Sequence, residues 1–336
     1  MPIQHTASRI VELGGGGPVR VADALAAGIT RAALRAAIDG GLLRRPAHGF
    51  VAPGSAATAD AMSEFITRCR ALLDRRPRCV LSHTTAAALT PLPTAGRLSA
   101  VIHCIDPNPR PSPGVVCHRG TVPESEIVEA DGLRLTSPLR TAVDLARSSP
   151  LPQALVTMDA ALRLRTLELS EAAYAREDRR VEDPMGQARA RVELQQLVAQ
   201  CSGRPGSTHA RRAADAASPL GESPAESWSR GHLLLAGIVP LGLQVRVVDA
   251  EGHERRLDFL LAEGLAGEVD GMVKYDGVDG ARRLREEKTR DLLLERVDIR
   301  TVRWTGVEVF RDPTTVVGLV GRAIEQHTAA RSRRTA

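Results

Sequence analysis

Aromatic residues and long apolar runs are scarce in this chain of 336 residues. Only 2% of the residues are Phe, Trp or Tyr, so a core must be built mainly from Leu, Val, Ile and Ala. No apolar run reaches the roughly 18–20 residues that cross a bilayer. The segment Met1–Gly17 also lacks the apolar centre of a signal peptide. We therefore expect a soluble, cytoplasmic protein with no membrane partner.

Paired cysteines are absent as well. The five cysteines are widely spaced and never occur as Cys-x-x-Cys; they are Cys69, Cys79, Cys104, Cys117 and Cys201. This spacing argues against a zinc ribbon and against the disulfide framework of a small secreted protein. We expect the cysteines to be reduced and to act as small apolar residues.

What the chain does contain is compatible with two or three folded domains. Apolar residues make up 43% of the sequence, which argues against global disorder. The net charge is +5, from 45 basic and 40 acidic residues. Because Ala and Arg are used heavily throughout, the number of arginines is not in itself a functional signal. Nucleic-acid binding is predicted only where basic residues cluster on one face.

The first such cluster lies in a helix–turn–helix–hairpin pattern. Val19–Gly28 is predicted as a short helix, and Thr30 is expected to cap a second helix, Arg31–Asp39. Leu42–Pro53 alternates weakly and turns at His48-Gly49, as a small β-hairpin does. This order is typical of a winged helix-turn-helix, whose second helix enters the major groove of DNA.

Four arginines are the candidate DNA contacts of this winged helix. Arg31 and Arg35 lie one turn apart on the second helix, and Arg44 and Arg45 begin the wing. The alternative interpretation is a helical hairpin whose arginines are simply solvated.

The middle of the chain alternates short elements and then becomes helical. Helices are predicted at 56–74, 83–89, 137–146, 152–200 with a break near Pro184, and 208–217, and strands at 98–105, 114–118 and 133–135. The small polar stretch Ser218–Ser223 indicates a domain boundary.

After this boundary the pattern predicts the order α-β-β-β-α-β-α. The segments are a helix from Ser223 to Gly237, strands at 243–248, 256–261 and 267–273, a helix at 281–296, a strand at 299–304 and a helix at 314–326. The first helix begins with Ser-Pro-Ala-Glu, which is the pattern of a capping box with proline at the first helical position.

Carboxylates interrupt two of these apolar strands. Glu268 and Asp270 flank Val269 and therefore point to the same face of their strand. If the two strands pair through the turn at 264–266, Asp258 lies opposite them, and Glu226 on the preceding helix completes the cluster. Glu226 alternatively has a local role in the capping box, and Asp270 alternatively belongs to a turn.

Like charges this close are tolerated when a cation lies among them or a proton is shared. Oxygen ligands alone suit Mg²⁺ or Mn²⁺, and such an ion activates water for attack on a phosphodiester. We therefore predict metal ligation by Glu226, Asp258 and Glu268. Lys274 and Lys288 are the candidates for orienting the water or stabilising the leaving charge.

The string RLDF…GEVDGMVKY…EEKTRDLL…IRTVRW resembles the PD-(D/E)XK nuclease superfamily, and more narrowly the relatives of very-short-patch-repair endonucleases. The resemblance implies metal and water ligands at Glu226, Asp258, Glu268 and Asp270. It also matches Arg290 and Arg303 to basic positions that face phosphate. One feature departs from the superfamily, whose motif lysine follows its glutamate by two residues. That position holds Asp270 in this sequence. The catalytic candidates for the lysine's role are therefore Lys274, provided that the chain turns at Gly271, and Lys288 from the following helix.

The N-terminal region resembles the AbiEi-type antitoxins. The resemblance rests on the strings VADALAAGITRAALRAAIDGGLLRRPAHGFVAPG, VLSHTTAAALTPLP and GLRLTSPLRTAVDLAR. It implies a winged helix-turn-helix before a small α/β domain, binding to the protein's own promoter, and a partner toxin. Within these strings, His83 is expected to be held by local hydrogen bonds and Asp144 to pair with Arg140, four residues earlier on the same helix.

The sequence thus predicts an α/β chain of the α+β multidomain kind. Its domains are a winged helix (1–55), a small α/β domain (56–150), a helical connector (151–220) and a restriction-endonuclease-like α/β domain with a central mixed sheet (221–336). The first functional hypothesis is a DNA-binding protein that hydrolyses DNA with Mg²⁺ or Mn²⁺. The alternative is a non-catalytic antitoxin or repressor of a type IV toxin-antitoxin system, in which the C-terminal fold only binds. A purely structural module explains neither set of motifs.

Overall fold

The computed structural model describes residues 3–54, 61–94, 99–172, 175–271 and 288–335. Its first unit comprises residues 1–90 and 98–137, and its second comprises 91–97 and 138–336. Helices combine with one antiparallel and two mixed sheets, which confirms the predicted α+β multidomain class. Among the described helices, none is long and apolar enough to cross a membrane.

A winged helix opens the first unit. Its elements are α1 (Ile3–Gly14), β1 (Val19–Arg20), α2 (Val21–Ala26), α3 (Arg31–Asp39), β2 (Leu43–Arg44) and β3 (Phe50–Pro53). The strands form an antiparallel sheet in the order β1-β3-β2. The bounds of α3 are those predicted, and the Thr30 hydroxyl accepts a hydrogen bond from the Ala33 amide at 3.1 Å. The prediction was wrong for Val19 and Arg20, which join the sheet rather than a helix.

The helix α1 was not predicted, although it completes the core of the winged helix. Ile10 of α1 is fully buried against Ala24, Leu34 and Val51 from three other elements. Its apolar positions are few and its neighbours polar, so its periodicity alone is weak. Contact with the other helices and the sheet stabilises it.

The rest of the first unit is a five-stranded sheet with the order β6-β5-β4-β8-β7. Its strands are β4 (Val80–Leu81), β5 (Ile102–Asp106), β6 (Val115–Arg119), β7 (Ile127–Ala130) and β8 (Leu133–Thr136), accompanied by helices α4 (Ala61–Arg75) and α5 (His83–Ala88). The short strands β4 and β7 were missed, because two to four residues carry little periodicity. All five cysteines of the chain are free, as expected.

Helices begin the second unit. They are α6 (Pro138–Ala146), α7 (Leu151–Leu169), α8 (Glu177–Val181), α9 (Pro184–Gln200) and α10 (Ser207–Ala216). The break near Pro184 is as predicted, with proline in the first turn of α9. The Asp183 carboxylate caps this helix by accepting hydrogen bonds from the amides of Met185 and Gly186 at 3.2 Å each.

The C-terminal part of this unit follows the predicted element order. It contains α11 (Pro224–Leu235), β9 (Gly242–Val248), β10 (Glu254–Ala262), β11 (Leu265–Asp270), helical residues 288–295, β12 (Arg300–Thr305), α12 (Gly306–Arg311) and α13 (Pro313–Thr335). The sheet order is β12-β11-β10-β9, and only the pair β11/β12 is parallel. The sheet is therefore mixed, as expected.

The connector helix α7 packs directly on α11. A Cβ atom added to Gly231 of α11 would lie 2.4 Å from the Cα of Pro152, so only glycine permits this approach. The fully buried carboxylate of Asp159 accepts hydrogen bonds from Arg230 at 2.6 and 2.7 Å. The predicted connector and C-terminal domain thus share one structural unit.

Candidate functional site

Strand register brings the predicted carboxylates to one face of the C-terminal sheet. Phe259 of β10 pairs with Gly267 of β11, so the next pair along these strands places Asp258 opposite Glu268. Residues two apart in a strand share a face, which puts Asp270 beside Glu268. The repulsion that Asp258 and Asp270 both exert on Glu268 is consistent with this arrangement.

Gln244 of β9 connects two of these carboxylates. Its Nε2 donates to Glu226 Oε2 at 2.9 Å and lies 3.4 Å from Asp258 Oδ1. The other oxygen of Asp258 accepts a hydrogen bond from the Val269 amide at 2.9 Å. Gln244 therefore holds a helix carboxylate and a strand carboxylate close together.

Gln244 was not singled out from the sequence. It is buried and has a φ of +50°, in the left-handed region that few residues other than glycine occupy. Its signal was a polar side chain inside an apolar strand, the same signal that identified Asp258. A backbone conformation of this kind at a polar cluster is typical of functional sites.

Burial and mutual repulsion raise the pKa values of the cluster. The pKa of Glu226 rises to about 7, first because the carboxyl is buried and second because Asp258 repels its charge. The pKa of Glu268 also rises to about 7, for the same two reasons in the same order. Burial raises the pKa of Asp258 as well. At neutral pH the cluster therefore favours a bound proton or a bound cation.

Two arginines, and no described lysine, contact the cluster. Arg290 donates to Glu268 at 3.2 Å, and Arg303 donates to Asp270 at 3.0 Å and to Asp291 at 2.7 Å. Arg290 and Arg303 thus partly neutralise the carboxylates, within the site where the sequence placed them. Lys288 is exposed on the helical segment. The other candidate, Lys274, lies outside the described residues.

The capping-box prediction was half correct for Glu226. Ser223 caps α11, because its hydroxyl accepts a hydrogen bond from the Glu226 amide at 3.1 Å. The Glu226 carboxylate, however, accepts from the Glu222 amide at 3.1 Å, one residue before the Ser223 amide that a capping box uses. One of its oxygens is shared between this amide and Gln244, and the side chain faces the cluster.

The donor set fits a hard divalent cation in its chemistry. Carboxylate and amide oxygens are the ligands that Mg²⁺ accepts, and burial followed by repulsion from Asp258 raises the pKa values of Glu226 and Glu268. Among the described residues, however, no three His, Cys, Asp or Glu side chains are arranged to hold a metal ion.

The winged helix presents the second predicted cluster. Arg31 and Arg35 are exposed on α3, and Arg45 is exposed where the wing begins. Arg44 is half-buried and donates to the Pro53 carbonyl at 3.1 Å while it pairs with Glu64. Arg44 is therefore engaged within the protein. Arg31, Arg35 and Arg45 remain the candidate DNA contacts.

His83 and Asp144 have the structural roles that were predicted from the sequence. The ring of His83 is hydrogen-bonded to the Ser82 hydroxyl at 2.9 Å and stacks on His118 with centroids 3.8 Å apart. Ser82 lies at the N-cap position of α5, but its side chain makes no capping hydrogen bond to that helix. Asp144 accepts a hydrogen bond from Arg140 at 2.9 Å within a buried ion pair.

Comparison with known proteins supports one of the two resemblances. Residues 32–197 match the family model of the AbiEi antitoxin C-terminal domain. This AbiEi-like region begins in α3 and ends in α9, and the carboxylate cluster lies beyond it. This match supports the antitoxin-like part of the prediction, and the nuclease resemblance stays a prediction.

Two proteins of Mycobacterium tuberculosis are similar to this chain over most of its length. The uncharacterized proteins MT2308 (strain CDC 1551 / Oshkosh) and Rv2248 (strain ATCC 25618 / H37Rv) are each 29% identical over 245 residues, which cover 72% of this chain and 80% of each relative. The crystal structure of the RV2827C protein from the same organism has a TM-score of 0.40 and 21% identity, and it covers 74% of this chain and 89% of that chain.

Proposed function

We propose that this protein is a DNA-binding, antitoxin-like protein that contacts DNA through α3 and the wing, and that it acts with a partner toxin. The observation that carries the proposal is the complete winged-helix topology. Arg31 and Arg35 are exposed one turn apart on α3, the second helix of its helix-turn-helix. That helix is the one that enters the major groove in proteins of this topology. The AbiEi-like region, which the antitoxin family model matches, begins on the same helix.

Fluorescence anisotropy with a labelled duplex from the protein's own promoter tests this proposal. Arg31→Ala with Arg35→Ala is expected to weaken binding and to lower the slope of log affinity against log salt by about 1 per lost phosphate contact. Arg211→Ala with Arg212→Ala removes two exposed helix arginines elsewhere and serves as the matched control. Equal affinities and slopes for both double variants would sink the proposal.

A second candidate function is Mg²⁺- or Mn²⁺-dependent hydrolysis of DNA by the C-terminal domain. The specific observation in its favour is the cluster formed by the buried Glu226 and Glu268 with the half-buried Asp258, in which Glu226 and Glu268 each have a pKa of about 7. These three carboxylates would hold the ion, which supplies polarisation of a phosphodiester and a lower pKa for water. Arg290 and Arg303, already beside the carboxylates, would stabilise the phosphate charge.

Plasmid nicking separates catalysis from binding alone. The full chain is incubated with supercoiled plasmid and Mg²⁺ or Mn²⁺, beside a variant carrying Asp258→Asn and Glu268→Gln. We expect nicking by the native sequence and none by the variant, while an exposed-site control, Glu295→Gln, nicks normally. If the variant nicks as well as the native sequence, or if none of the three proteins nicks, the carboxylate cluster is not catalytic. The non-catalytic antitoxin then remains the function.

A further inference from the structure

The sheet face that carries the carboxylates continues into a pair of arginines. Arg246 of β9 lies directly opposite Arg256 of β10. Arg256 precedes Asp258 by two residues, so both side chains leave the same face, about 7 Å apart along the strand. Like charges directly opposite each other destabilise a sheet. Two arginines that lie directly opposite each other in the sheet therefore require negative charge nearby.

That negative charge comes in part from the short helix α8 and its C-cap, and in part from Glu254, 2.6 Å from Arg246, and Glu222, which pairs with Arg256. Asp178 and Glu182 each approach Arg246 at 2.9 Å, and Asp178 also lies 3.7 Å from Arg256. Both carboxylates belong to the chain between α7 and α9, not to the sheet. Carboxylates paired with arginine have the charge and the oxygen geometry of a bound phosphate.

A cavity of about 650 Å³ opens beside these ion pairs. Five arginines of the second unit line it, together with three carboxylates; the arginines are Arg163, Arg176, Arg246, Arg255 and Arg256. The Arg176 side chain is 88% exposed and stands 3.4 Å from Asp178 at the rim. The cavity thus has guanidinium groups on several sides. It lies at one end of the sheet face that carries Asp258.

We propose that this arginine cleft binds backbone phosphates of DNA, which displace Asp178 and Glu182 from Arg246. The inference rests on the proposed function in that DNA is the ligand. It adds a second contact surface, in the C-terminal domain, that the winged helix does not supply. The cleft directs the strand along the sheet face toward the carboxylate cluster. In the absence of DNA, Asp178 and Glu182, together with Glu254 and Glu222, keep the arginines neutralised and lower the affinity.

Binding to a short fluorescein-labelled duplex, measured against salt, tests the cleft in the full-length chain. All variants carry Arg31→Ala and Arg35→Ala, so that the winged helix contributes little. Asp178→Asn with Glu182→Gln is expected to raise affinity about tenfold and to steepen the salt dependence, because two competing charges are lost. Arg246→Gln with Arg256→Gln is expected to lower the salt slope by about 2.

A rim variant keeps the test informative if the α8 substitutions disturb folding. Arg176→Ala removes an exposed side chain and should weaken binding several-fold, whereas Arg204→Ala, also exposed, should not. Unchanged or lower affinity in a folded Asp178→Asn, Glu182→Gln variant overturns the proposal, as does equal binding by the two rim variants. Failure of the winged-helix proposal is a separate result, namely that the starting Arg31→Ala, Arg35→Ala protein binds as tightly as the native chain.

Discussion

The substitution Glu268→Gln should stabilise this protein above neutral pH. Glu268 is buried, and its pKa rises to about 7 because burial and the neighbouring Asp258 both oppose its charge. Glutamine resembles the protonated carboxyl in shape and charge, so it removes the cost of ionising this position. Arg290 loses its 3.2 Å ion-pair partner, and the pKa of Glu268 is raised in spite of that attraction.

The magnitude follows from the difference in pKa between the folded and unfolded chains. A rise from the ordinary 4.5 to about 7 corresponds to about 3 kcal/mol. Because the folded pKa is the higher one, the protonated carboxyl favours folding. This stabilisation is complete below about pH 4.5 and is lost as the pH rises through about 7. The variant should match the native chain at low pH and exceed it by up to about 3 kcal/mol near pH 8.

Urea unfolding followed by tryptophan fluorescence is a suitable assay. The two tryptophans, Trp228 and Trp304, both lie in the C-terminal part of the chain, on α11 and β12. Glu295→Gln, at an exposed position, is the control and should leave the pH dependence unchanged. Equal pH slopes for Glu268→Gln and the native chain would refute the argument. Added Mg²⁺ should stabilise the native chain above pH 7 more than the variant, if the ion binds at Glu268.

Three further substitutions test the packing that supports the two sites. Thr30→Ala should cost about 1 kcal/mol of unfolding free energy, because α3 loses its N-cap, and circular dichroism during urea unfolding measures this. Asp159→Ala should cost about 3–5 kcal/mol by leaving Arg230 buried without its partner, as seen by tryptophan fluorescence. Gly231→Ala should cost about 1–3 kcal/mol, because its methyl group would overlap Pro152. A Gly231→Ala variant as stable as the native chain would contradict the close contact of α7 and α11.

The carboxylate face was predictable because strand periodicity is a local property. Alternation placed Glu268 and Asp270 on one side of β11. A tight turn at Glu263-Gly264, shorter than the predicted turn at 264–266, sets the pairing that brings Asp258 opposite Glu268. The role of Gln244 was not predictable in this way. Its contact with Glu226 depends on where α11 packs relative to β9, and a strand pattern contains no such information.

The charge partners of the arginines were likewise not determined by local sequence patterns. The sequence marked Arg44 as a DNA contact by its place in the wing, but Glu64, twenty residues later, pairs with it. Arg290 and Arg303 were placed beside the site only by resemblance. Their pairing with Glu268 and Asp270 follows from strand order and from the position of the helical residues 288–295. Charge partners distant in sequence are selected by tertiary packing.

The sequence alone determined most of the element order after Ser223, the bounds of α3 and the shared face of Glu268 and Asp270, since capping and periodicity act over a few residues. Tertiary structure alone decided that α1 completes the winged helix and that Gln244 joins Glu226 to Asp258. It also placed the carboxylates of α8 on the arginines of the C-terminal sheet. These contacts join segments up to tens of residues apart, and only the folded chain brings such segments together.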